Sequence, residues 1–272
     1  MNNQTILIID LSYFNFYRFF ATKQWYTRAN PNDNFEQSYD WSSNEQFWEK
    51  FKKMFLQTID EYRKKIKPTK IIFAKDCPRA SIWRVPFYPE YKANREVTYA
   101  KTEFQGGKVF KRCYSEILPE LLANPSKLYS MVQLDHLEAD DIIYLLTSKF
   151  SPISKQIYVI SSDHDLLQMV EKFPNLDLID AKMKSYREKA LPKSIDNIYM
   201  KAILGDGSDN IPKSLDKVGE KIATKIVSDY SLLLEKFRTQ KDAFHRFAIN
   251  KCLVDFSHIP KEYLEQFNKI PM

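Results

Sequence analysis

TILIID, residues 5–10, is a short apolar run that reads as a buried strand and stops on a carboxylate. TKIIFAKD (69–76) and QIYVISSDHD (156–165) repeat that design, delivering Asp76 and the pair Asp163 and Asp165. LDLID (176–180) and KLYSMVQLD (127–135) add two more candidate strands. Between the first two runs lies NEQFWEKFKKMFLQTIDEYRKKIK, where Phe47, Phe51, Met54, Phe55, Ile59, Tyr62 and Ile66 recur at helical spacing. Strands alternating with long helical segments predict an α/β fold with a mainly parallel central sheet flanked by helices.

Ligands of such sheets bind beyond the carboxyl ends of the strands. Asp10, Asp76, Asp163 and Asp165 all fall there. LDHLEADDIIYLL (134–146) adds Glu138, Asp140 and Asp141 from the same side. On a helix, Leu134, Glu138, Asp141 and Leu145 share one face, and acids on a leucine stripe need a cation or donors close by. The plainer reading makes them first-turn acids facing a helix dipole. Taken singly, Asp10 and Asp76 read better as caps or loop starters, and Asp163 as an Asx turn. Capping leaves unexplained why all of them sit at corresponding ends. Like charges so gathered cannot all stay ionised without counter-cations. Oxygen ligands with few histidines suit Mg²⁺ or Mn²⁺ rather than zinc or copper.

The chain has 272 residues, enough for one large α/β domain or a domain with an appendage. Cys77, Cys113 and Cys252 lie far apart, and His136, His164, His245 and His258 form no metal-spaced pair, which argues against a disulfide framework or a zinc site. No apolar stretch approaches bilayer length and MNNQTILIID has no leader pattern, so the expectation is a soluble cytoplasmic protein, not secreted, working in a host cell if viral, without a membrane partner and monomeric. A net charge of +6 suits a polyanionic partner.

LGDGSDNIPKSLDKVGEKIATKIV (204–227) contributes Asp206 and Asp209, with Gly205 and Gly207 flanking the first. Val218-Gly219-Glu220-Lys221 opens a helix whose free N–H groups, with Lys217, Lys221 and Lys225, could hold a duplex phosphate. An ordinary helical hairpin with solvated lysines accounts for the same residues. Residues 77–112 interleave Arg79, Arg84, Lys92, Arg95, Lys101, Lys108, Lys111 and Arg112 with Trp83, Phe87, Tyr88, Tyr91, Tyr99 and Phe104. That mixture can grip a single strand, although aromatics beside a sheet more often pack as core. Residues 94–108 read as a mobile segment and 22–46 as an elaborated loop without assigned function.

Asp10 after its strand, Asp76 followed by Arg84 and YPEYKANR, EADD (138–141), SSDHD (161–165) and GDGSDNIP (205–212) together resemble the flap endonuclease and 5′-to-3′ exonuclease family, with LVDFSHIP (253–260) a weaker echo. The likeness is to the phage type, which includes the ribonuclease H of T-even bacteriophages. It implies a PIN-like nuclease fold over 1–180 with an arch at about 94–112, and a helical region over 181–272 with a helix-hairpin-helix-like duplex grip at 205–228. It implies two Mg²⁺ ions, replaceable by Mn²⁺: Asp10, Asp76, Glu138 and Asp140 around the first, and Asp141, Asp163, Asp165 and Asp209 around the second. Asp206 is placed just outside them. Lys92 and Arg95 steer the scissile phosphate. Arg79, Arg84, Lys92, Arg95, Lys101, Lys108, Lys217, Gly219, Lys221 and Lys225 contact nucleic acid. The implied activity is hydrolysis near 5′ ends of flap, nicked or gapped DNA or of RNA–DNA hybrids in replication or repair, beside replication proteins. The chain departs from the family at IPKSLDKVGEKIAT, which keeps only Gly219 and Lys221 of a glycine-rich turn. Two rivals share the acids: a PIN-like endoribonuclease cutting single-stranded RNA, and a non-catalytic structure-specific DNA-binding protein.

Overall fold

A computed structural model describes residues 4–95 and 104–271. Five parallel strands form one sheet: β1 (Thr5–Asp10), β2 (Lys70–Ala74), β3 (Tyr129–Val132), β4 (Gln156–Ile160) and β5 (Leu176–Ile179), in the order β3-β2-β1-β4-β5. The order reverses at β1, which pairs with β2 on one side and β4 on the other. A crevice therefore opens beyond the ends of β1 and β4, the usual ligand position in such sheets. Asp10 ends β1 and Asp163 follows β4, so the two acids stand at that crevice.

Alternation along β1 sorts its side chains between two cores. Ile6 and Ile8 join Ile72, Ile157, Val159 and Leu178 under α5 (Ala139–Phe150), whose Ile142, Ile143 and Leu146 cover them. Leu7 and Ile9 join Ile71, Phe73 and Ile160 on the other face, under α1 (Leu11–Ala29) and α2 (Glu45–Ile66). There Phe14, Phe47, Phe51 and Phe55 fill the space, with Phe14 and Phe55 edge-to-face at 4.8 Å. Helix α3 (Gly106–Arg112) runs through a π-turn, Cys113–Ile117, into α4 (Leu118–Leu122) and packs Val109 and Phe110 into this second core.

The C-terminal helices are α6 (Ser194–Leu204), α7 (Glu220–Ser228), α8 (Tyr230–Thr239), α9 (Ala243–Val254) and α10 (Lys261–Asn268). Helices α6 to α9 have a core of their own around Ile203, Leu215, Ile226 and Phe247, while Phe256 and Phe267 rejoin the core beneath α5. As expected, Gly219 is the N-terminal cap of α7. No helix is long and apolar enough to cross a membrane among the described residues.

Three readings change. Residues 22–46 are not one loop: α1 continues to Ala29, because nothing breaks it before Pro31, which disfavours helical geometry at Asn30. The remainder, 30–44, is turns that seat Trp41 fully buried against Tyr26, Phe35, Tyr39 and Phe47. Helix α5 begins only at Ala139, with Glu138 as its cap, so Leu134 shares no helical face with the acids. Asp140 and Asp141 are first-turn residues, as the plainer reading had them. Of the segment 94–112, residues 96–103 lie outside the described residues, and 106–112 are ordered helix.

Gly205 sits at φ 68°, and a Cβ there would meet the Ile211 carbonyl at 2.3 Å, whereas Gly207 has open space around it. The positive φ and the crowding are both built into the turn that presents Asp206 and Asp209. Gly205→Ala should therefore lower unfolding free energy by about 1–3 kcal/mol. Gly207→Ala should stay within about 0.5 kcal/mol, both read by chemical denaturation.

Candidate active site

The strand-end carboxylates converge. Asp10 caps α1 by accepting the Tyr13 N–H at 3.0 Å, and its other oxygen accepts from Ser161 Oγ at 2.9 Å. Burial, then the charge of Asp76 and a smaller contribution from Asp163, push its carboxyl up to about 7. Asp76 accepts the Ser12 hydroxyl and the Ala139 N–H at 2.8 Å, which joins β2 to the head of α5. Glu138, Asp140 and Asp141 stand there with carboxylate oxygens within 4.8 Å of one another. Burial and the neighbouring Asp141 and Glu138 charges raise the Asp140 carboxyl.

Two buried cations answer that charge. Arg84, 1% exposed, spans Glu138 at 2.9 Å and both oxygens of Asp141 at 2.8 Å. Lys92 binds Glu138 closely and reaches Asp209 at 3.5 Å. Its backbone is left-handed, φ 56°, which a lysine rarely adopts. Burial alone would raise the Glu138 carboxyl, but Lys92 and then Arg84 outweigh it and hold the group down at about 2. Tyr91 donates its hydroxyl to Glu138 at 2.9 Å or to Asp209 at 3.1 Å, tying the two acids together.

The third group centres on Lys201 of α6, whose ammonium lies 2.7 Å from Asp165 and 2.5 Å from Asp206. Burial and the Asp163 charge raise Asp165 to about 7, while Lys201 overcomes burial at Asp206 and holds it at about 2. An open pocket of about 390 Å³ is lined by Asp10, Tyr13, Asp163, Lys201, Asp206 and Ser208, among others. The YKANR turn docks on the GDGSDN turn: Lys92 N–H to the Asp209 carbonyl at 2.9 Å, Asn94 to the Gly207 carbonyl at 2.7 Å, and Arg95 to Asp209 at 2.8 Å.

Two assignments change on this geometry. Arg84 is not a nucleic-acid contact, because carboxylates and the Leu253 carbonyl at 2.7 Å enclose its guanidinium. Asp141 is fully buried, and its oxygens accept from Arg84, Trp83 Nε1 and the Glu138 N–H, so they are already engaged by protein donors although they lie within 4.8 Å of the Glu138 and Asp140 oxygens. Asp10, Asp76, Asp140 and Asp163, with Glu138 beside them, could hold a cation. They fit a hard divalent ion: all donors are oxygens, the raised Asp10 carboxyl has no protein cation beside it, and Asp140 stays raised although Arg84 and Lys92 act against its burial and its acidic neighbours.

Of the basic and aromatic stretch, Trp83 and Tyr91 are buried and Phe104 stacks on Phe16 at 5.2 Å, so these pack as core, whereas Phe87 is exposed. Arg79 is half-buried, Lys108 pairs with Asp40 at 2.6 Å, and Lys101 and Tyr99 lie outside the described residues. Lys217, Lys221 and Lys225 are exposed, as is Gly219. Sequence reasoning missed Ser12, Ser161 and Lys201, and gave Tyr91 to strand binding rather than to the acids. Tyr91 opens the YKANR motif, and Lys201 stands one helical turn before Gly205, so both were within reach of a search for partners of the acids.

Raised Asp10 and Asp165 carboxyls keep protons that the unfolded chain, with an ordinary value of 3.8, releases. Stability from them is full below about pH 4 and lost as pH rises through about 7. Glu138 and Asp206 act oppositely, their contribution present above their ordinary values of 4.5 and 3.8 and lost as pH falls through about 2. The metal-free protein should melt highest near about pH 4–5 and lower at pH 8. Asp10→Asn should raise the pH 8 midpoint, by about 2–4 °C per kcal/mol of repulsion relieved, and blunt its rise on adding Mg²⁺. Scanning calorimetry across pH reads both.

A family described as 5′-3′ exonuclease, N-terminal resolvase-like domain, matches residues 5–196. A 5′-3′ exonuclease of Mycoplasmopsis pulmonis is 32% identical over 193 residues, 68% of this chain and 59% of that protein. The ribonuclease H of Enterobacteria phage T4 is 26% identical over 211 residues, 71% of this chain and 66% of that one. A DNA polymerase I of Caldicellulosiruptor bescii is 28% identical over 68% of this chain, which spans only 21% of that protein. The chain thus spans about three-fifths, two-thirds and one-fifth of these relatives. In fold it is similar to the T5 D15 protein co-crystallised with metal ions, with TM-score 0.69, 18% identity, and 98% and 97% of the two chains covered. A bacteriophage T5 flap endonuclease in a pseudo-enzyme–product complex with DNA and metal ions is similar at TM-score 0.68, 18% identity and the same coverage.

Proposed function

The chain belongs to the 5′-3′ exonuclease family, matched over residues 5–196, and from that premise we propose that it is a divalent-metal-dependent nuclease. It hydrolyses phosphodiesters near 5′ ends of flap, nicked or gapped DNA, and of RNA–DNA hybrids, in replication or repair. The observation that carries the reading is the meeting of Asp10, Asp76, Asp140 and Asp163 at the crevice beyond β1 and β4. A protein that only bound DNA would gain nothing from a pit that repels it.

Asp10, Asp76, Glu138 and Asp140 would hold one ion, with Asp163, Asp165 and Asp209 toward a second. Mg²⁺ suits these donors and Mn²⁺ can replace it. When bound, the ions supply charge neutralisation and a water acidic enough to attack at neutral pH. The protein's own groups do the rest. Lys92 and Arg95, both already beside Asp209, place positive charge where a phosphate would enter. Ser161 and the Tyr13 N–H hold Asp10 in one orientation, and Lys201 fixes Asp165 and Asp206.

Residues 1–180 are taken as the nuclease unit. Residues 181–272 are the helical unit, where Lys217, Gly219, Lys221 and Lys225 at the head of α7 would grip duplex phosphates without reading bases. The protein works as a soluble monomer alongside replication proteins.

Labelled 5′-flap, nicked-duplex, RNA–DNA hybrid and unstructured RNA substrates, with and without Mg²⁺, decide the matter. Cleavage near the 5′ end of the duplex substrates, abolished by chelation, is expected. Cutting confined to unstructured RNA would favour the endoribonuclease reading, and persistent cleavage after thorough chelation would overturn the mechanism. Asp163→Asn should keep the dissociation constant for flap DNA within about threefold while lowering the cleavage rate about 10²-fold or more.

A further inference from the structure

Resting on that nuclease reading, we propose that residues 253–258, LVDFSH, brace the acidic centre, with Arg84 and Gln168 as positioning residues that clasp the segment from two sides. Neither residue needs to touch substrate or ion.

Arg84 Nε donates to the Leu253 carbonyl at 2.7 Å, while its terminal nitrogens hold Glu138 and Asp141. Gln168, 8% exposed, donates Nε2 to the Asp165 carbonyl at 2.9 Å and to the Val254 carbonyl at 2.8 Å. Its Oε1 accepts the Phe256 N–H at 3.2 Å. One short stretch therefore fastens to the head of α5 through one side chain, and to the turn after β4 through the other. Those two places carry acids from opposite parts of the centre, Glu138 and Asp165.

The segment is itself held fast. Phe256, 2% exposed, is in the core beneath α5 and stacks on Tyr144 of that helix at 5.4 Å. Asp255 accepts the Ser257 N–H at 2.9 Å and the Lys251 ammonium at 2.7 Å. Any shift of the Asp165 turn relative to α5 must break hydrogen bonds to buried groups, and a buried partner left unpaired is costly. The brace thus preserves the spacing of the carboxylates against their own repulsion until an ion binds.

Coupling between two sites is reciprocal. If the brace favours the ion-binding arrangement, ion binding must steady the brace. In the wild-type protein, saturating Mg²⁺ should slow amide hydrogen exchange across 254–258 by about tenfold and leave α8 unchanged. Gln168→Leu should raise the Mg²⁺ concentration for half-saturation, read by calorimetry without substrate, by about fivefold or more. Gln168→Glu, which keeps the volume and the acceptor but loses the donor, serves if the leucine variant does not fold. A purely structural role would lower the melting temperature and leave half-saturation within twofold. That result in a folded variant, or unchanged exchange at 254–258 when Mg²⁺ binds, overturns the brace alone. Failure of the wild type to bind Mg²⁺ at all overturns the nuclease reading along with it.

Discussion

The buried pairing of Arg84 with Glu138 and Asp141 is the constraint on which the centre depends. Ionised carboxylates at the head of α5 are tolerable in the interior only because a guanidinium, planar and always charged, meets them at hydrogen-bond distance. Arg84 and Lys92 both come from residues 79–95, a stretch of short turns with little regular structure. Its course is set by those charges together with Ile82 and Tyr91, which pack against Ile198, Ile211, Leu253 and Val254. The YKANR turn lies on the GDGSDN turn, and Arg84 ties the C-terminal helices in through the Leu253 carbonyl.

The acids divide into two populations. Glu138 and Asp206 are kept ionised by Lys92 and Lys201, each strong enough to overcome burial. Asp10, Asp140 and Asp165 are pushed the other way by burial and by adjacent carboxylates, chiefly Asp76, Asp141 and Asp163 in turn. Environments that separate titratable neighbours in this manner are typical of working sites. Glu138 and Asp206 are thus tied to the frame by their ammonium partners, whereas Asp10 has no protein cation beside it.

Much of this was legible in the residues. The five strands were visible as apolar runs, and their parallel arrangement followed from the helices between them. The acids at β1, β2 and β4 were placed correctly because a strand end has only one direction in such a sheet. Charge partners were harder. Nothing in the spacing distinguishes Arg84, wrapped by carboxylates, from a surface arginine reaching for phosphate, since burial of a long cation depends on contacts across more than fifty positions. Asp141 read as a ligand for the same reason: its saturation by Trp83 and Arg84 is tertiary. The tail of α1 looked like loop because most of its residues are polar; Thr22 and Tyr26 turn inward, the latter to meet Trp41.

Lys92 holds an unfavourable backbone twist, φ 56°, at a place where glycine or asparagine would rest without strain. Buried and held between Glu138 and Asp209, its ammonium already stands beside the acids, and little rotational freedom remains to be lost when a reactant comes.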